Sequence, residues 1–141
     1  MSNKNAMFSS KTVEWATPQN LFDALDTIHH FTLDPAATHE NAKCARHFTK
    51  EQDGLAQNWG GETVFCNPPY GRDIGAWVKK GFQEGQKPGT KVVMLLPART
   101  DTKWFHDYCT KGKIEFLRGR LKFGEAKESA PFPSMLVTFG A

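Results

Sequence analysis

Asn67-Pro68-Pro69-Tyr70 directly follows a short β-prone segment, and its residue types suit the capture of an amino group. Two consecutive prolines fix their φ angles and lack N–H donors, so the backbone carbonyls of this turn are held rigidly as acceptors. The Asn67 amide oxygen is a second acceptor. Two acceptors that converge on an exocyclic amino group leave its nitrogen lone pair aimed at an electrophile, while Tyr70 offers a ring for stacking. The alternative is a proline-rich turn with an Asx cap.

Basic residues are concentrated in the second half of the chain. Residues 1–70 carry five Lys and Arg against eight Asp and Glu, and residues 71–141 carry thirteen against seven, which gives balances of −3 and +6. A polyanionic partner is one explanation, because Lys and Arg near phosphates release counterions. A solvated, lysine-rich surface is the other.

Histidine and cysteine spacing gives little support for a metal site. Cys44 and His47 lie three residues apart but lack a second ligand pair, so we expect no zinc. His29-His30 falls at the end of a predicted helix, where imidazoles interact with the helix dipole and solvent. The three cysteines have no close spacing, so we expect reduced thiols.

Hydrophobic periodicity predicts three helices. The first begins at Thr17-Pro18, with Thr17 as N-cap and the proline in the first helical position, and runs to about residue 29. The second spans 74–85, where apolar residues recur at helical spacing. A short third helix follows Thr100 and Asp101, either of which can cap it.

Five β-prone runs alternate with these helices. They are 31–33, 63–66, 91–96, 114–117 and 135–139. The run 91–96 is almost entirely apolar, so we expect it at the sheet centre, covered on both faces. The polar stretch 38–61 shows no periodicity that assigns it to a helix or a strand. The alternation predicts a three-layer α/β fold with a largely parallel sheet and ligands at the carboxyl ends of its strands.

The length indicates one domain. We expect a flexible arm at residues 1–12 and a single domain at 13–141. No apolar run approaches the roughly 18 residues needed to cross a bilayer, and the N-terminus lacks a signal-peptide core. These features favour a cytosolic protein.

Several segments together resemble one family of enzymes, the S-adenosylmethionine-dependent DNA N6-adenine methyltransferases. The segments that match its motif order are Trp15-Ala16-Thr17-Pro18, Leu33-Asp34-Pro35-Ala36-Ala37, Asp53-Gly54-Leu55 and Phe65-Cys66-Asn67-Pro68-Pro69-Tyr70. Three later segments are similar to its compact phage-type branch, namely Leu96-Pro97-Ala98-Arg99-Thr100-Asp101, Gly119-Arg120-Leu121-Lys122-Phe123 and Pro131-Phe132-Pro133-Ser134. The resemblance runs from about Trp15 to Phe139.

The resemblance implies a fold and an activity. The expected fold is a single-domain, Rossmann-like methyltransferase with a compact, mostly parallel central sheet flanked by helices. The expected reaction moves a methyl group from S-adenosylmethionine to adenine N6 in DNA, without a metal. The expected setting is the cytoplasm of a bacterial host, with the protein encoded by a phage or prophage.

The resemblance also implies site residues. The catalytic turn would be Asn67, Pro68, Pro69 and Tyr70. The cofactor-binding residues would be Trp15, Thr17, Pro18, Asp34, Ala36, Asp53, Leu55 and Asn67. Among these, Asp34 would lie near the methionine amine, and Asp53 would accept from the cofactor adenine while Leu55 packs on its ring. The simpler interpretations are a helix cap at Thr17 and turns at Asp34 and Asp53.

DNA would be held by basic residues near the strand ends and read by two loops, 71–73 and 124–133. The phosphate contacts would come from Arg72, Arg99, Lys103, Arg118, Arg120 and Lys122, or these residues form a solvated rim. Phe123 either stacks on the extruded base or fills the core.

The chain departs from the family pattern in its cofactor-binding half. Asp34 is followed by no glycine before Gly54, although most such enzymes have a glycine-rich loop there. No acidic residue matches the family's partner for the cofactor ribose, and the candidates are Glu40 and Glu51. Two alternatives therefore stay open. One is methylation of RNA adenines or protein glutamine, and the other is a catalytically inactive nucleic-acid-binding module.

Overall fold

A computed structural model of the chain describes residues 15–124 and 128–140, so the predicted arm at 1–12 lies outside the described residues. The helices are α1, Gln19–His29; α2, Ile74–Gly85; and α3, Lys103–Asp107. The strands are β1, Thr63–Cys66; β2, Lys91–Pro97; β3, Lys113–Phe116; and β4, Ser134–Gly140. Short 3-10 turns form at Gly54–Ala56 and Cys109–Lys111. The predicted bounds of α1, α2 and these four strands agree to within one residue.

The strands form one sheet in the order β1-β2-β4-β3. The predicted α/β class is confirmed, but the prediction of a mostly parallel sheet is wrong in its pairing. In the described part of the chain β1 and β2 pair in parallel, whereas β4 is antiparallel to both β2 and β3. A parallel return needs a crossover connection, usually a helix, and the described residues of segment 117–133 form none. The chain therefore comes back as the reversed strand β4.

Helices cover both faces of the sheet. On one face, Phe22 of α1 packs edge-on against Phe65 of β1, with ring centroids 5.2 Å apart. On the other face, α2 approaches so closely that a Cβ at Gly81 would lie 2.5 Å from the Met94 sulfur. A side chain at this position would force Met94 to shift, so Gly81 lets α2 and the segment before it lie close against the sheet.

Two helices begin later than the sequence predicts. Pro18, not Thr17, occupies the N-cap position of α1, because the Thr17 hydroxyl accepts a hydrogen bond from Asn67 Nδ2 at 3.0 Å instead. The cap of α3 is Thr102, whose hydroxyl accepts from the Phe105 N–H at 3.3 Å, rather than Thr100 or Asp101.

The predicted strand 31–33 is reduced to a single parallel bridge between Leu33 and Val64. The next residue, Asp34, leaves the edge of β1 and pairs with the segment around His47. Its N–H donates to the Arg46 carbonyl at 3.1 Å, and its carbonyl accepts from the Phe48 N–H at 3.0 Å. Pro35 then provides no donor to continue a ladder. The polar stretch 38–61 thus folds back onto Asp34 through the residues around His47.

Candidate active site

A cavity of about 610 Å³ opens where Asp34 follows the Leu33 bridge and Asn67 follows β1. It gathers side chains that are far apart in the sequence. The predicted site residues that line it are Trp15, Thr17, Asp34, Ala36, Asp53, Leu55, Asn67, Pro68, Pro69 and Arg72. The volume lies within the range of about 300–1,000 Å³ that small-molecule sites occupy.

Asn67 is held by the segment that precedes α1. Its Nδ2 donates to the Trp15 carbonyl and to the Thr17 hydroxyl. A carbonyl can only accept, so the amide nitrogen must face Trp15, and this fixes the position of the amide oxygen. That oxygen is buried and has no hydrogen-bond partner among the described residues. A buried acceptor without a partner costs about 1–3 kcal/mol, so Asn67 is prepared for a donor from a ligand.

Tyr70 lies beneath the cavity rather than in its lining. It is 4% exposed, and its hydroxyl donates to the Leu95 carbonyl at 2.8 Å. Its ring centroid lies 6.2 Å from that of Phe123 and 5.7 Å from that of Phe132, with both contacts edge-on. Burial raises the pKa of the Tyr70 phenol well above its usual range, so the hydroxyl remains a donor. The predicted stacking face of Tyr70 is covered in this conformation.

Asp34 is a buried carboxyl in the cavity lining, with 4% of the residue exposed. Its Oδ2 accepts from the Lys43 N–H at 3.0 Å and its Oδ1 from the Ala36 N–H at 3.3 Å. Burial raises the pKa of Asp34, although these two bonds and the charges of His47 and Lys43 oppose the rise. A cationic group in the cavity would lower that pKa again, so the site favours a positively charged ligand.

The Asp53-Gly54-Leu55 turn approaches the Asp34 loop so closely that no side chain fits between them. A Cβ at Gly54 would lie 2.1 Å from the Pro35 carbonyl oxygen. Asp53 adopts a left-handed backbone, with φ of +55°, and its carboxylate accepts from the Leu55 N–H at 3.2 Å. Trp59 Nε1 holds the turn from behind by donating to the Gly54 carbonyl at 3.0 Å. Gly54 thus supplies a close backbone approach in a chain that has no glycine between Asp34 and Gly54.

Of the remaining predicted cofactor residues, some line the cavity and others do not. Trp15 lines the cavity and packs edge-on against Phe132, with centroids 5.3 Å apart. Pro18 does not line the cavity, and neither do Glu40 and Glu51, the two candidates for the ribose partner, which are both exposed.

The six predicted phosphate contacts are all exposed, and among them only Arg72 lines the cavity. We call the other five the basic rim: Arg99, Lys103, Arg118, Arg120 and Lys122. Their side chains form no ion pair with any described residue. Arg99 lies near enough to Tyr70 for its charge to act on the phenol. Phe123 is buried against Trp15 and Tyr70, which favours its core interpretation.

The described residues contain no group of three His, Cys, Asp or Glu side chains arranged to hold a metal. His47 instead contacts His39 at 2.9 Å. Burial, with help from the charges of Asp34 and Asp26, raises the pKa of the Cys44 thiol to about 12, so this thiol is a poor metal ligand. None of the described helices has the length and apolar composition needed to span a bilayer.

Several cavity residues were not predicted from the sequence. They are Asn41, Lys43, Thr49, Lys50, Asp73 and Trp77. Four of them lie in the polar stretch 38–61, which has no periodicity to place it. Only their place in the chain could have identified these four as cavity residues, because a loop between Asp34 and Asp53 must pass over the same end of the sheet.

Comparison with known proteins identifies a family for this chain. The sequence profile described as "DNA N-6-adenine-methyltransferase (Dam)" matches residues 5–139. The "DNA N-6-adenine-methyltransferase" of Escherichia phage T1 is 36% identical over 94 residues, which cover 64% of this chain and 38% of the phage protein. "Putative methyltransferase YfdM" of Escherichia coli (strain K12) is 38% identical over 64 residues, or 40% of this chain and 70% of that protein. The chain belongs to the DNA N-6-adenine-methyltransferase (Dam) family.

Proposed function

We propose that this protein transfers a methyl group from S-adenosylmethionine to the N6 amino group of adenine in DNA. The observation that carries the proposal is the buried, unpartnered oxygen of Asn67 at the edge of the cavity. Membership of the Dam family and the name of the phage T1 relative support the same reaction and substrate. The supporting match spans well under half the length of that relative.

The cavity residues fit S-adenosylmethionine, which supplies an electrophilic methyl group on a sulfonium when bound. Asp34 provides a buried carboxylate for the cofactor amine. Asp53 provides an acceptor for the adenine amino group, and Leu55 an apolar surface beside it. Thr17 and Trp15 close the cavity on the side of Asn67.

Asn67 acts on the amino group of the substrate. Its amide oxygen accepts one hydrogen of the adenine amine, and a backbone carbonyl of the rigid proline turn accepts the other. This orients the nitrogen lone pair and stabilises the positive charge that develops on it as the new N–C bond forms; the S–CH3 bond of the donor would break in the same step and leave S-adenosylhomocysteine, a neutral thioether. The proton leaves the nitrogen to solvent afterwards. A base with a lowered pKa is therefore not required.

Adenine must leave the duplex to reach Asn67, at a cost of a few kcal/mol in unstacking. Stacking on Tyr70 offsets part of this cost. Because the Tyr70 ring is covered edge-on by Phe123 and Phe132, these two rings must shift when the base enters. Both belong to the predicted reading loop or its flank, so base entry and sequence reading are coupled in this proposal.

The basic rim and Arg72 contact DNA phosphates, and loops 71–73 and 124–133 read a short target. Residues 125–127 of the second loop lie outside the described residues. The fold is a compact version of the Rossmann-like methyltransferase, supported by the parallel arrangement of Leu33, β1 and β2 beside the cavity. The place of action is the bacterial cytoplasm, supported by relatives from a phage and its host genus.

The test is a substrate panel with labelled S-adenosylmethionine. Purified protein should label duplex DNA at adenine N6, identified by mass spectrometry of the nucleosides, and should leave RNA and glutamine-containing protein unlabelled. Mapping methylated adenines in DNA from cells that express the protein would then give the target. Label in RNA or in protein glutamine, with none in DNA, would show that the substrate is not DNA. Binding of DNA without binding of the cofactor would favour a catalytically inactive nucleic-acid-binding module.

A further inference from the structure

Lys43 is a cavity residue to which the proposed reaction gives no role. Its backbone N–H donates to Asp34 Oδ2 at 3.0 Å, which places it beside the buried carboxylate. Its side-chain ammonium donates to Gln19 Oε1 at 2.7 Å, at the first residue of α1. Lys43 therefore links the Asp34 loop to the start of α1, and it also lines the cavity.

The other cations of the cavity lining differ from Lys43 in burial and restraint. Lys50 and Arg72 are exposed, and their side chains form no hydrogen bond or ion pair with described residues. Lys43 is half-buried, and its bond to Gln19 restricts the ammonium to one direction. Gln19 occupies only one of the three ammonium donors, so two remain for a ligand.

A fixed anion and a nearby fixed cation that line the same cavity are complementary to an amino acid zwitterion. Asp34 is assigned to the ammonium of the methionine moiety, and nothing so far meets the carboxylate of that moiety. If the carboxylate lay beside Asp34 without a cation, two negative charges would repel each other in a buried setting. A cation near Asp34 is therefore needed to bind the carboxylate. Among the cations of the cavity lining, Lys43 is the one whose side chain is restrained by a hydrogen bond to a described residue.

We infer that Lys43 binds the α-carboxylate of the methionine moiety of S-adenosylmethionine, with Gln19 holding its ammonium in place. This inference rests on the proposed function. The pair formed by Asp34 and Lys43 selects ligands that carry a complete amino acid, and it rejects adenosine thioethers that lack either charge.

Binding of two unreactive ligands tests this pairing by calorimetry. S-adenosylhomocysteine carries both charges, and decarboxylated S-adenosylhomocysteine keeps the amine but lacks the carboxylate. The wild-type protein should bind the first about 10-fold or more tightly than the second, as expected for one charge-assisted hydrogen bond. Lys43→Met should bind the two ligands about equally, with its loss confined to S-adenosylhomocysteine, and Lys43→Arg should retain part of the preference.

Lys50→Met is the matched control, because it removes another cavity lysine and should leave the preference for the carboxylate unchanged. Equal weakening of both ligands by Lys43→Met would overturn the inference, since it would indicate a damaged Asp34 loop. Unchanged binding of both ligands would also overturn it. Failure of the wild-type protein to bind S-adenosylhomocysteine at all would overturn the proposed cofactor, and the inference with it.

Discussion

The cavity and the basic rim are assigned different parts of the proposed function, methyl transfer and DNA binding, and their side chains are restrained to different degrees. In the cavity, polar groups are positioned by bonds from distant segments: Asn67 by Trp15 and Thr17, and the Gly54 carbonyl by Trp59. The rim side chains are exposed and pair with no described residue. If the proposed function is correct, methyl transfer depends on the geometry of the cavity, whereas DNA affinity depends on the charge of the rim. Substitutions in the cavity should therefore have large, specific effects, and substitutions in the rim small, general ones.

The largest effect should follow from Asn67→Ala. It removes the acceptor that strengthens as charge develops on the amine, so kcat should fall by about 100- to 1,000-fold or more. Affinity for S-adenosylhomocysteine should fall only slightly, through lost contacts to Trp15 and Thr17. Single-turnover labelling and calorimetry measure the two quantities separately.

Asn58→Ala is the control for Asn67→Ala. Asn58 is exposed and bonds the Gly60 N–H and Lys87, away from the cavity, so its loss should leave kcat unchanged. An Asn67→Ala protein that turns over at the wild-type rate would remove the observation on which the proposed function stands.

Asp34→Asn should come next, with a loss of about 1.5–3 kcal/mol in S-adenosylhomocysteine binding, the range of a charge-assisted bond. The wild-type affinity should also depend on pH. Because burial raises the pKa of free Asp34 and a bound ammonium lowers it, affinity should rise with pH through that raised pKa and level off above it. Asp34→Asn should abolish this dependence.

Asp73→Asn provides the comparison for Asp34→Asn, because Asp73 also lines the cavity but is exposed. It should keep the pH dependence of the wild type. If Asp34→Asn binds as tightly as wild type at every pH, the cofactor amine lies elsewhere in the cavity.

Gly54→Ala tests how tightly the turn at Gly54 packs against the Asp34 loop in the cavity lining. The new Cβ would clash with the Pro35 carbonyl at 2.1 Å, so we expect a free energy of unfolding lower by about 1–3 kcal/mol. Gly75→Ala, in α2, meets only the Trp104 side chain at 3.6 Å and should be neutral or stabilising by up to about 1 kcal/mol. Equal stability of the two variants in urea would mean that the turn at Gly54 can move away from the Asp34 loop.

The sequence was informative where pattern or chemistry is local. The periodicity of α2 and the apolar run of β2 placed those elements within one residue. The Asn67 turn was recognisable because its residue types form a compact motif. Lys43 and Trp59 were missed because their roles depend on how an irregular loop returns to Asp34 and Gly54, which no periodicity encodes. The direction of β4 was missed because strand pairing is decided by the connection rather than by the strand itself.

The smallest effect should be seen in the rim, with Arg120→Gln. If Arg120 contacts one phosphate, its loss should reduce the slope of log affinity against log salt by about 0.9 on duplex DNA. Lys79→Gln removes an exposed cation on α2, outside the rim, and should leave the slope unchanged. Salt titrations with the methylated target and with a scrambled duplex measure this.

The two duplexes decide what kind of contact Arg120 makes. A phosphate contact carries no sequence information, so Arg120→Gln should weaken the target and the scrambled duplex by the same factor. A loss confined to the target, with the salt slope intact, would make Arg120 a base reader, because arginine recognises guanine edges by paired hydrogen bonds. One rim side chain would then depend on geometry as the cavity residues do, and the cavity and the rim would no longer differ in this respect. No change in affinity for either duplex would show that Arg120 is a solvated surface residue that does not contact DNA.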